Sequence, residues 1–284
     1  MILVTTAGGN VGSELVKALS GRGAEFRCGY HSPEKAEKAR TAELNAAVLD
    51  YGKPETLRAA LQGIDRLFLA SPATPGQPEQ EAAMVAEARK AGVKRIVKLS
   101  VWRAPEESYT FARWNRRGEK QVEASGIPFT FLRPNSFMQN MVNFFSASIR
   151  DQSSFFLPGG NARISHIDVR DIASVAAVAL TGEGHEGCAY DLSGPEALTY
   201  HQIAGLLSRV LGRTITYVNL PEEEFRKTLL GLGAPEWQPT AFIDLMHYSN
   251  QGQASDVLGS IRQITGRKPT SFEQFARDYR AAFS

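Results

Sequence analysis

The segment Thr5-Thr6-Ala7-Gly8-Gly9-Asn10-Val11-Gly12 decides the fold, because it follows a short apolar run and opens a helical pattern. Glycines between a strand and a helix let the backbone approach a pyrophosphate, and the N–H groups of the helix N-terminus then hold the anion. Gly9 and Gly12 have the required spacing, although Thr6 stands where a three-glycine fingerprint has its first glycine. The segment predicts a dinucleotide-binding turn, with a plain tight turn as the alternative.

Strands and helices alternate along the first half of the chain. Six short apolar runs are each followed by a helical pattern, and these runs are Ile2–Thr5, Glu25–Tyr30, Ala46–Asp50, Asp65–Ala70, Arg95–Ser100 and Phe129–Arg133. The alternation predicts an α/β fold with a Rossmann-type doubly wound parallel sheet. Residues 1–150 form the predicted nucleotide-binding domain, with a sheet completed by parts of 151–220. Residues 185–284 form a smaller, mainly helical substrate lobe.

Composition narrows the classes of function. The net charge is +2 and the charged residues are well mixed, so nothing indicates a nucleic-acid partner. Two cysteines and five scattered histidines give neither a disulfide framework nor the spacing of a metal site. No apolar run reaches the about 20 residues of a membrane span, and no leader is evident. We expect a cytoplasmic monomer or homodimer without metal, membrane or nucleic-acid partners.

The residues at the end of the second predicted strand indicate which of the two nicotinamide cofactors, NAD(H) or NADP(H), is preferred. NAD sites place a carboxylate there for the ribose 2′-hydroxyl, whereas NADP sites place cations and hydroxyls. Here the strand ends at Tyr30 and continues with His31, Ser32 and Lys35, while Glu34 falls in the first turn of a helix. A carboxylate in a first turn is ordinary helix capping. The tip therefore predicts NADP(H) as the preferred cofactor, with NAD(H) as the alternative.

Ligands of open α/β sheets bind at the carboxyl ends of the strands. Asp50 is expected to accept from the adenine amine or to cap the next helix, with neither interpretation favoured. Ser100 is a candidate catalytic residue that faces nicotinamide or substrate, or it satisfies local backbone groups. The remaining expected cofactor contacts follow the other strands, and they are Thr6, Gly8, Gly9, Asn10, Val11, Gly12, Tyr51, Ala70, Ser71, Pro72, Pro134, Asn135, Ser136 and Phe137.

Several motifs resemble the NmrA-like branch of the atypical short-chain dehydrogenases/reductases. They span nearly the whole chain and lie at residues 2–12, 32–36, 91–97, 126–140, 167–173 and 265–269. The resemblance implies NAD(P)H-dependent reductases of quinones, dyes or aromatic natural products, or catalytically silent redox sensors. It also implies that the segment after Arg133 lines the nicotinamide pocket.

One departure from typical members of that superfamily concerns catalysis. Typical members use a Tyr-x-x-x-Lys pair, but the residue four positions before Lys120 is Arg116. At 100° per residue, Asn115 shares the apolar stripe of Phe111 and Val122, whereas Lys120 faces the opposite side. Asn115, where the resemblance implies His or Lys in many relatives, is the second candidate catalytic residue. It can donate a hydrogen bond but cannot act as a general acid, and a buried structural amide is the alternative.

An aromatic pocket is expected to bind the substrate. Its candidates are Trp102, Asn135, Phe137, Met138 and Trp237, with core packing as the alternative for the apolar ones. Trp102 and Phe137 follow strands, so we expect them to escape core packing best, and we expect His166 to be structural. The predicted function is direct hydride transfer from NADPH to a planar conjugated acceptor: a quinone, aromatic polyketide, dye or iminium. The alternative is an NADP(H)-sensing regulatory protein of the NmrA type.

Overall fold

The computed structural model describes all residues, Met1–Ser284, and the chain divides into two compact units. Unit 1 comprises Met1–Glu106, Ala112–Pro134 and Val169–Asp191, and unit 2 comprises Glu107–Phe111, Asn135–Asp168 and Leu192–Ser284. Residues 135–150, which the sequence assigned to the nucleotide-binding domain, thus belong to unit 2. None of the helices is both long enough and apolar enough to cross a membrane.

Nine strands and thirteen helices follow one another along the chain. The strands are β1 (Ile2–Val4), β2 (Phe26–Tyr30), β3 (Ala46–Val48), β4 (Arg66–Leu69), β5 (Arg95–Leu99), β6 (Phe129–Pro134), β7 (Ser154–Leu157), β8 (Cys188–Leu192) and β9 (Thr216–Asn219). The helices are α1 (Asn10–Ser20), α2 (Pro33–Thr41), α3 (Pro54–Ala60), α4 (Gln77–Lys90), α5 (Thr110–Ala124), α6 (Asn140–Gln152), α7 (Val169–Thr181), α8 (Tyr200–Leu211), α9 (Glu222–Gly231), α10 (Trp237–Asn250), α11 (Ser260–Thr265), α12 (Phe272–Asp278) and α13 (Arg280–Phe283).

A seven-stranded sheet with the order β3-β2-β1-β4-β5-β6-β8 forms the centre of unit 1. The neighbouring pairs from β3 to β6 are all parallel. The strand order reverses direction between β1 and β4, which is the doubly wound arrangement predicted from the alternation of apolar runs. Six of the seven strands lie where the sequence placed them, and α1 begins at Asn10 rather than at Gly12.

Burial on both faces explains why the central strands are rich in apolar residues. Leu3, Leu67 and Ile96 are fully buried in one core cluster, together with Leu57 of α3 and Met84 of α4. On the other face α7 packs against α1. Each buried leucine contributes about 2 kcal/mol relative to exposure, so this double layer fixes the positions of the strand ends where ligands bind.

Unit 2 contains a second, two-stranded sheet that the sequence analysis did not predict. β7 pairs in parallel with β9, with Ser154 opposite Thr216. Phe155, Tyr217 and Phe275 are buried in the core of this unit. A four-residue strand is too short for its alternation to stand out from a helical pattern, and for that reason β7 was missed. β8 was missed as well, because its Tyr190-Asp191 pair interrupts the apolar run of that edge strand.

Candidate functional site

The turn between β1 and α1 is open to an anion. Gly9 is the N-cap of α1 without a side-chain capping bond, and the first turn of the helix carries no acidic residue. A Cβ atom on Gly12 would overlap the carbonyl oxygen of Thr6, so only glycine allows α1 to approach the turn this closely. The helix N-terminus therefore presents backbone N–H groups and a positive dipole end without a competing carboxylate.

A cavity of about 390 Å³ lies beside this turn, entirely within unit 1. Its wall brings together predicted cofactor residues from four strand ends, namely Thr6, Gly8, Gly9, His31, Ser32, Lys35, Asp50, Tyr51 and Pro72. Gln80 of α4 also lines the cavity, and the sequence analysis missed it because it lies beyond the strand-end loop. The cavity and the turn together fit a dinucleotide: an anion site at the helix N-terminus and an adjoining groove.

Ser32, His31 and Lys35 form the polar corner of this cavity. Ser32 is the N-cap of α2, and its Oγ accepts a hydrogen bond of 3.3 Å from the backbone N–H of Lys35. The hydroxyl proton of Ser32 remains available to donate to a ligand oxygen. The side chain of His31 is 80% exposed, and Lys35 is exposed as well. One hydroxyl, one imidazole and one ammonium here are the donors that a phosphate monoester requires.

Asp50 is the one carboxylate on the cavity wall, and its backbone surroundings hold it in place. Its Oδ1 accepts from the N–H of Gly52 at 2.9 Å, with His31 Nδ1 at 3.8 Å and Lys53 Nζ at 3.6 Å from its oxygens. The Gly52 hydrogen bond lowers the pKa of Asp50, burial opposes this shift, and the electrostatic effects of His31 and Lys53 add to it. The N-cap of α3 is Lys53, so Asp50 stabilises the loop before α3 and does not cap the helix.

The ends of β1 and β4 are tied by side-chain bonds. Thr5 Oγ1 donates to the carbonyl of Ala70 at 2.6 Å and accepts from its N–H at 2.9 Å. The Tyr51 hydroxyl donates to the same carbonyl at 2.6 Å, and burial raises the pKa of this phenol. The bond to Ala70 therefore holds Tyr51 in the cavity wall, with the ring of Tyr51 as the surface that can contact a ligand.

Asn115 lies on α5, 6% exposed, within a buried polar group of unit 1. Its Oδ1 accepts from Lys98 Nζ at 3.0 Å and from Gln77 Nε2 at 3.1 Å. Lys98 in turn lies 3.1 Å from the carboxylate of Glu81, to which Ser71 also donates at 2.9 Å. The sequence analysis missed Lys98, although a lysine in the middle of a buried apolar strand was a readable signal.

Ser100, at the end of β5, is 6% exposed and donates to Glu119 Oε1 at 2.7 Å. Glu119 also accepts two hydrogen bonds from Arg133, at 2.8 and 2.9 Å, and one from Arg116 at 3.1 Å. Because its proton is engaged with a carboxylate, Ser100 offers a ligand only its oxygen lone pairs. Its partner is thus a buried side chain rather than the local backbone, and the sequence analysis did not identify Glu119.

Asn135 follows Pro134, the last residue of β6, and its side chain is fully engaged inside unit 2. Its Nδ2 donates to Ser165 Oγ at 2.9 Å and to the carbonyl of Ala254 at 2.8 Å. Its Oδ1 accepts from the N–H of Ser136 at 2.8 Å. Both donor hydrogens are used inside the protein, so the Asn135 amide has a structural role, and its contact with cofactor or substrate stays a prediction.

Two of the predicted substrate residues are buried. Trp102 is 2% exposed, contrary to the expectation that it escapes core packing, and Met138 is 1% exposed within the core of unit 2. Their strand-end positions did not reveal this burial, because loops after β5 and β6 also contribute to the cores. Ser136, Phe137 and Trp237 are half-buried in the structure, so part of each surface is accessible.

His166 is buried in unit 2 and packs against Tyr200, with ring centroids 5.7 Å apart. Burial lowers its pKa to about 4, and a hydrogen bond with the backbone of Ser136 opposes this shift only in part. The ring is therefore neutral at physiological pH. This agrees with the structural role expected for His166 and connects it to the segment that follows β6.

Comparison with known proteins identifies the family. The model of the NmrA-like family matches residues 1–276. An NAD(P)H azoreductase from Xenophilus azovorans is 36% identical over 100% of this chain and 99% of its own length, and quinone oxidoreductase 2 from Escherichia coli K12 is 28% identical over 96% of both chains. The crystal structure of an E. coli NADPH-dependent quinone oxidoreductase complexed with NADPH superimposes with a TM-score of 0.88 at 27% identity, covering 98% of this chain and 99% of the other. The chain belongs to the NmrA-like family, and the predicted Rossmann-type fold is confirmed.

Replacing Gly12 by alanine is expected to abolish tight NADPH binding and to lower the free energy of unfolding, because the new Cβ would overlap the Thr6 carbonyl. Urea unfolding and calorimetric NADPH titration measure the two effects. Gly205→Ala, at a helical position with open space around its Cα, is the matched control and should be neutral or slightly stabilising. Normal NADPH affinity in the Gly12 variant would contradict this account of the turn.

The pH dependence of the free energy of unfolding should show the protonation of His166. The folded-state pKa of about 4 lies below the usual value near 6.5, so the unfolded chain binds a proton that the folded chain excludes. Stability is therefore lost as the pH falls from about 6.5 to about 4, by up to about 3 kcal/mol. Urea unfolding across this pH range should show that loss in the wild type and a shallower slope in His166→Phe. Equal slopes for the two proteins would refute the assignment.

Proposed function

We propose that this protein is an NADPH-dependent reductase that transfers a hydride directly to a planar conjugated acceptor, such as a quinone, aromatic polyketide, dye or iminium compound, without a Tyr-x-x-x-Lys pair. Relatives named as an NAD(P)H azoreductase and a quinone oxidoreductase confirm the predicted class of enzyme, and the NADPH complex of a structural neighbour agrees with the predicted cofactor. The observation that carries the proposal is the cavity of unit 1, which joins the polar corner of His31, Ser32 and Lys35 to the N-cap of α1.

NADPH would be held by residues that surround this cavity. The N–H groups at the start of α1 would bind the pyrophosphate beside Gly9 and Gly12. The 2′-phosphate would lie among His31, Ser32 and Lys35, on the side of the cavity away from the Asp50 carboxylate. When bound, the cofactor supplies the hydride from its nicotinamide ring. Orientation of the acceptor and polarisation of its oxygen are the contributions left to the protein.

The side chains available for catalysis suit an acceptor that is already electrophilic. Asn115 and Ser100 are retained as the proposed catalytic residues, the first as a hydrogen-bond donor and the second as an acceptor for a ligand N–H group. Neither can supply a proton as a tyrosine does, so the reduced acceptor would take its proton from water. Quinones and extended π-systems tolerate this, because they delocalise the electron pair that arrives with the hydride. Phe137 and Trp237 are retained as aromatic candidates for acceptor binding.

The test is to mix the purified protein with NADPH and a panel of acceptors, and to follow the loss of absorbance in the nicotinamide band. The panel contains quinones, azo dyes, a cationic triarylmethane dye and simple ketones. Turnover is expected with the conjugated acceptors and not with the ketones, which need a proton donor at the oxygen. Tight NADPH binding without oxidation by any acceptor would overturn the enzyme and support an NADP(H)-sensing protein.

Lys35→Met should weaken NADPH binding about tenfold and leave NADH binding unchanged, because the ammonium would contact only the 2′-phosphate. His31→Asp should reverse the cofactor preference, since a carboxylate repels the phosphate and accepts from a ribose hydroxyl. Lys38→Met, an exposed lysine on the same helix, is the control. Fluorescence titration measures the affinities for NADPH and NADH. An equal loss of affinity for both cofactors in Lys35→Met would contradict the proposed phosphate site.

A further inference from the structure

Gln80 lies near the start of α4 and lines the cavity of unit 1. Its backbone N–H donates to the carbonyl of Gly76 at 3.0 Å and is thereby satisfied within the helix. Its side-chain oxygen, Oε1, is buried and has no hydrogen-bond partner. A buried acceptor without a donor destabilises the folded chain, and an apolar side chain of the same length would avoid that penalty. The oxygen of Gln80 is therefore suited to accept from a group that enters the cavity.

The place of Gln80 on the cavity wall distinguishes it from a second glutamine of α4. Gln77 Oε1 is also buried without a partner, but Gln77 does not line the cavity. The amide of Gln77 is held instead by Glu81 Oε1 and Asn115 Oδ1, to each of which its Nε2 donates at 3.1 Å. Of the two unpartnered oxygens, only that of Gln80 thus belongs to a residue that a ligand of this cavity can contact.

The polarity of the Gln80 side chain selects the part of a dinucleotide that it can bind. Phosphate oxygens accept hydrogen bonds and are matched by the donors of Ser32 and Lys35 and by the N–H groups at the start of α1. Adenine instead carries an exocyclic amine, which donates, beside the ring nitrogen N7, which accepts. A glutamine amide matches this pair with its oxygen and its NH₂ group. The base is therefore the part of the cofactor that suits Gln80.

Apolar surface for a planar base is present on the same cavity wall. Leu49, the ring of Tyr51 and Pro72 line the cavity together with Gln80. The Tyr51 hydroxyl donates to the carbonyl of Ala70 at 2.6 Å, which holds the ring in place. The cavity thus combines flat apolar groups with an amide that has one acceptor and one donor group, and this combination fits a heterocyclic base.

We propose that Gln80 recognises the adenine base of NADPH, with its Oε1 accepting from the exocyclic amine and its Nε2 donating to N7. The inference rests on the proposed function, which places NADPH in this cavity. It implies selectivity for the base, because hypoxanthine has a carbonyl oxygen in place of the amine and so presents two acceptors along the same edge. A glutamine amide offers them one donor group in either orientation, and its own oxygen would again lack a donor.

The test compares the Kd values of NADPH and of its reduced hypoxanthine analogue, measured by nicotinamide fluorescence without any acceptor. The wild type should bind NADPH about tenfold more tightly than the analogue. Gln80→Met keeps the length of the side chain and removes both polar groups. It should weaken NADPH binding about tenfold and change the affinity for the analogue by less than about threefold, so that the preference for adenine disappears.

The stability of the cofactor-free protein distinguishes this role from a purely structural one. Gln80→Met removes a buried acceptor that has no donor, so the midpoint of its urea unfolding should equal or exceed that of the wild type. A structural glutamine would lower the midpoint when replaced and leave the adenine preference intact, and that result would overturn the proposal. Gln121→Met, at an exposed position of α5 that does not line the cavity, is the matched control and should change neither quantity.

Asp50 is the alternative acceptor for the adenine amine. Its Oδ1 already accepts from the N–H of Gly52 at 2.9 Å, and a carboxylate has no donor for N7. Asp50→Ala should therefore weaken the binding of both dinucleotides alike. Loss of the adenine preference in Asp50→Ala, together with its retention in Gln80→Met, would overturn the proposal.

The binding measurements separate this inference from the proposed function, because they need no turnover. Equal affinity of the wild type for the two dinucleotides, as expected if Gln80 bound only a ribose hydroxyl, would overturn base recognition in an active or inactive protein. A preference for adenine that depends on Gln80, in a protein that oxidises no NADPH with any acceptor, would overturn the proposed function alone.

Discussion

The close approach of Gly12 to the Thr6 carbonyl is the contact on which the architecture of unit 1 depends. It sets the height of α1 above β1, and α7 then packs against α1 on the same face of the sheet. Gly9, the N-cap of α1, lines the cavity formed by the ends of β1, β2, β3 and β4, so the start of the helix lies beside that cavity. Because Gly12 has no Cβ, one contact sets both the packing of α1 and the position of its N-terminus.

Much of unit 1 could be predicted from the sequence, and the reasons are physical. Strands buried on both faces are rich in apolar residues, so β1 and β4 were evident as apolar runs, and β5 was evident although it contains Lys98. The grouping of His31 and Lys35 on one cavity wall was predictable because both residues follow directly from the end of β2. Glu81 and Glu119 were not found, because their importance depends on which distant charges they meet, whereas Lys98 was missed although a lysine within an apolar strand was a readable signal. In unit 2 the strand β7 was not predicted, since its four residues are too few to show a period of two.

Two buried charged groups distinguish this sheet from a purely apolar one. Lys98 forms an ion pair with Glu81. Glu119 accepts hydrogen bonds from Arg133, near the end of β6, and from Ser100, after the end of β5. Both groups join a strand to α5 by bonds that have a direction, which apolar packing lacks. Directional bonds of this kind select one rotation of the helix about its axis and one rotamer for each partner. The catalytic candidates of unit 1 are therefore held by electrostatics as well as by packing.

The connectivity of the sheet has a consequence for synthesis on the ribosome. β8, the seventh strand of unit 1, lies at Cys188–Leu192, after α6 and β7 of unit 2 have already been made. Until residue 192 has left the exit tunnel, β6 keeps an unpaired edge, and such an edge is a template for association with other chains. The interval in which the nascent chain needs protection is thus set by the order of its strands and not by its length.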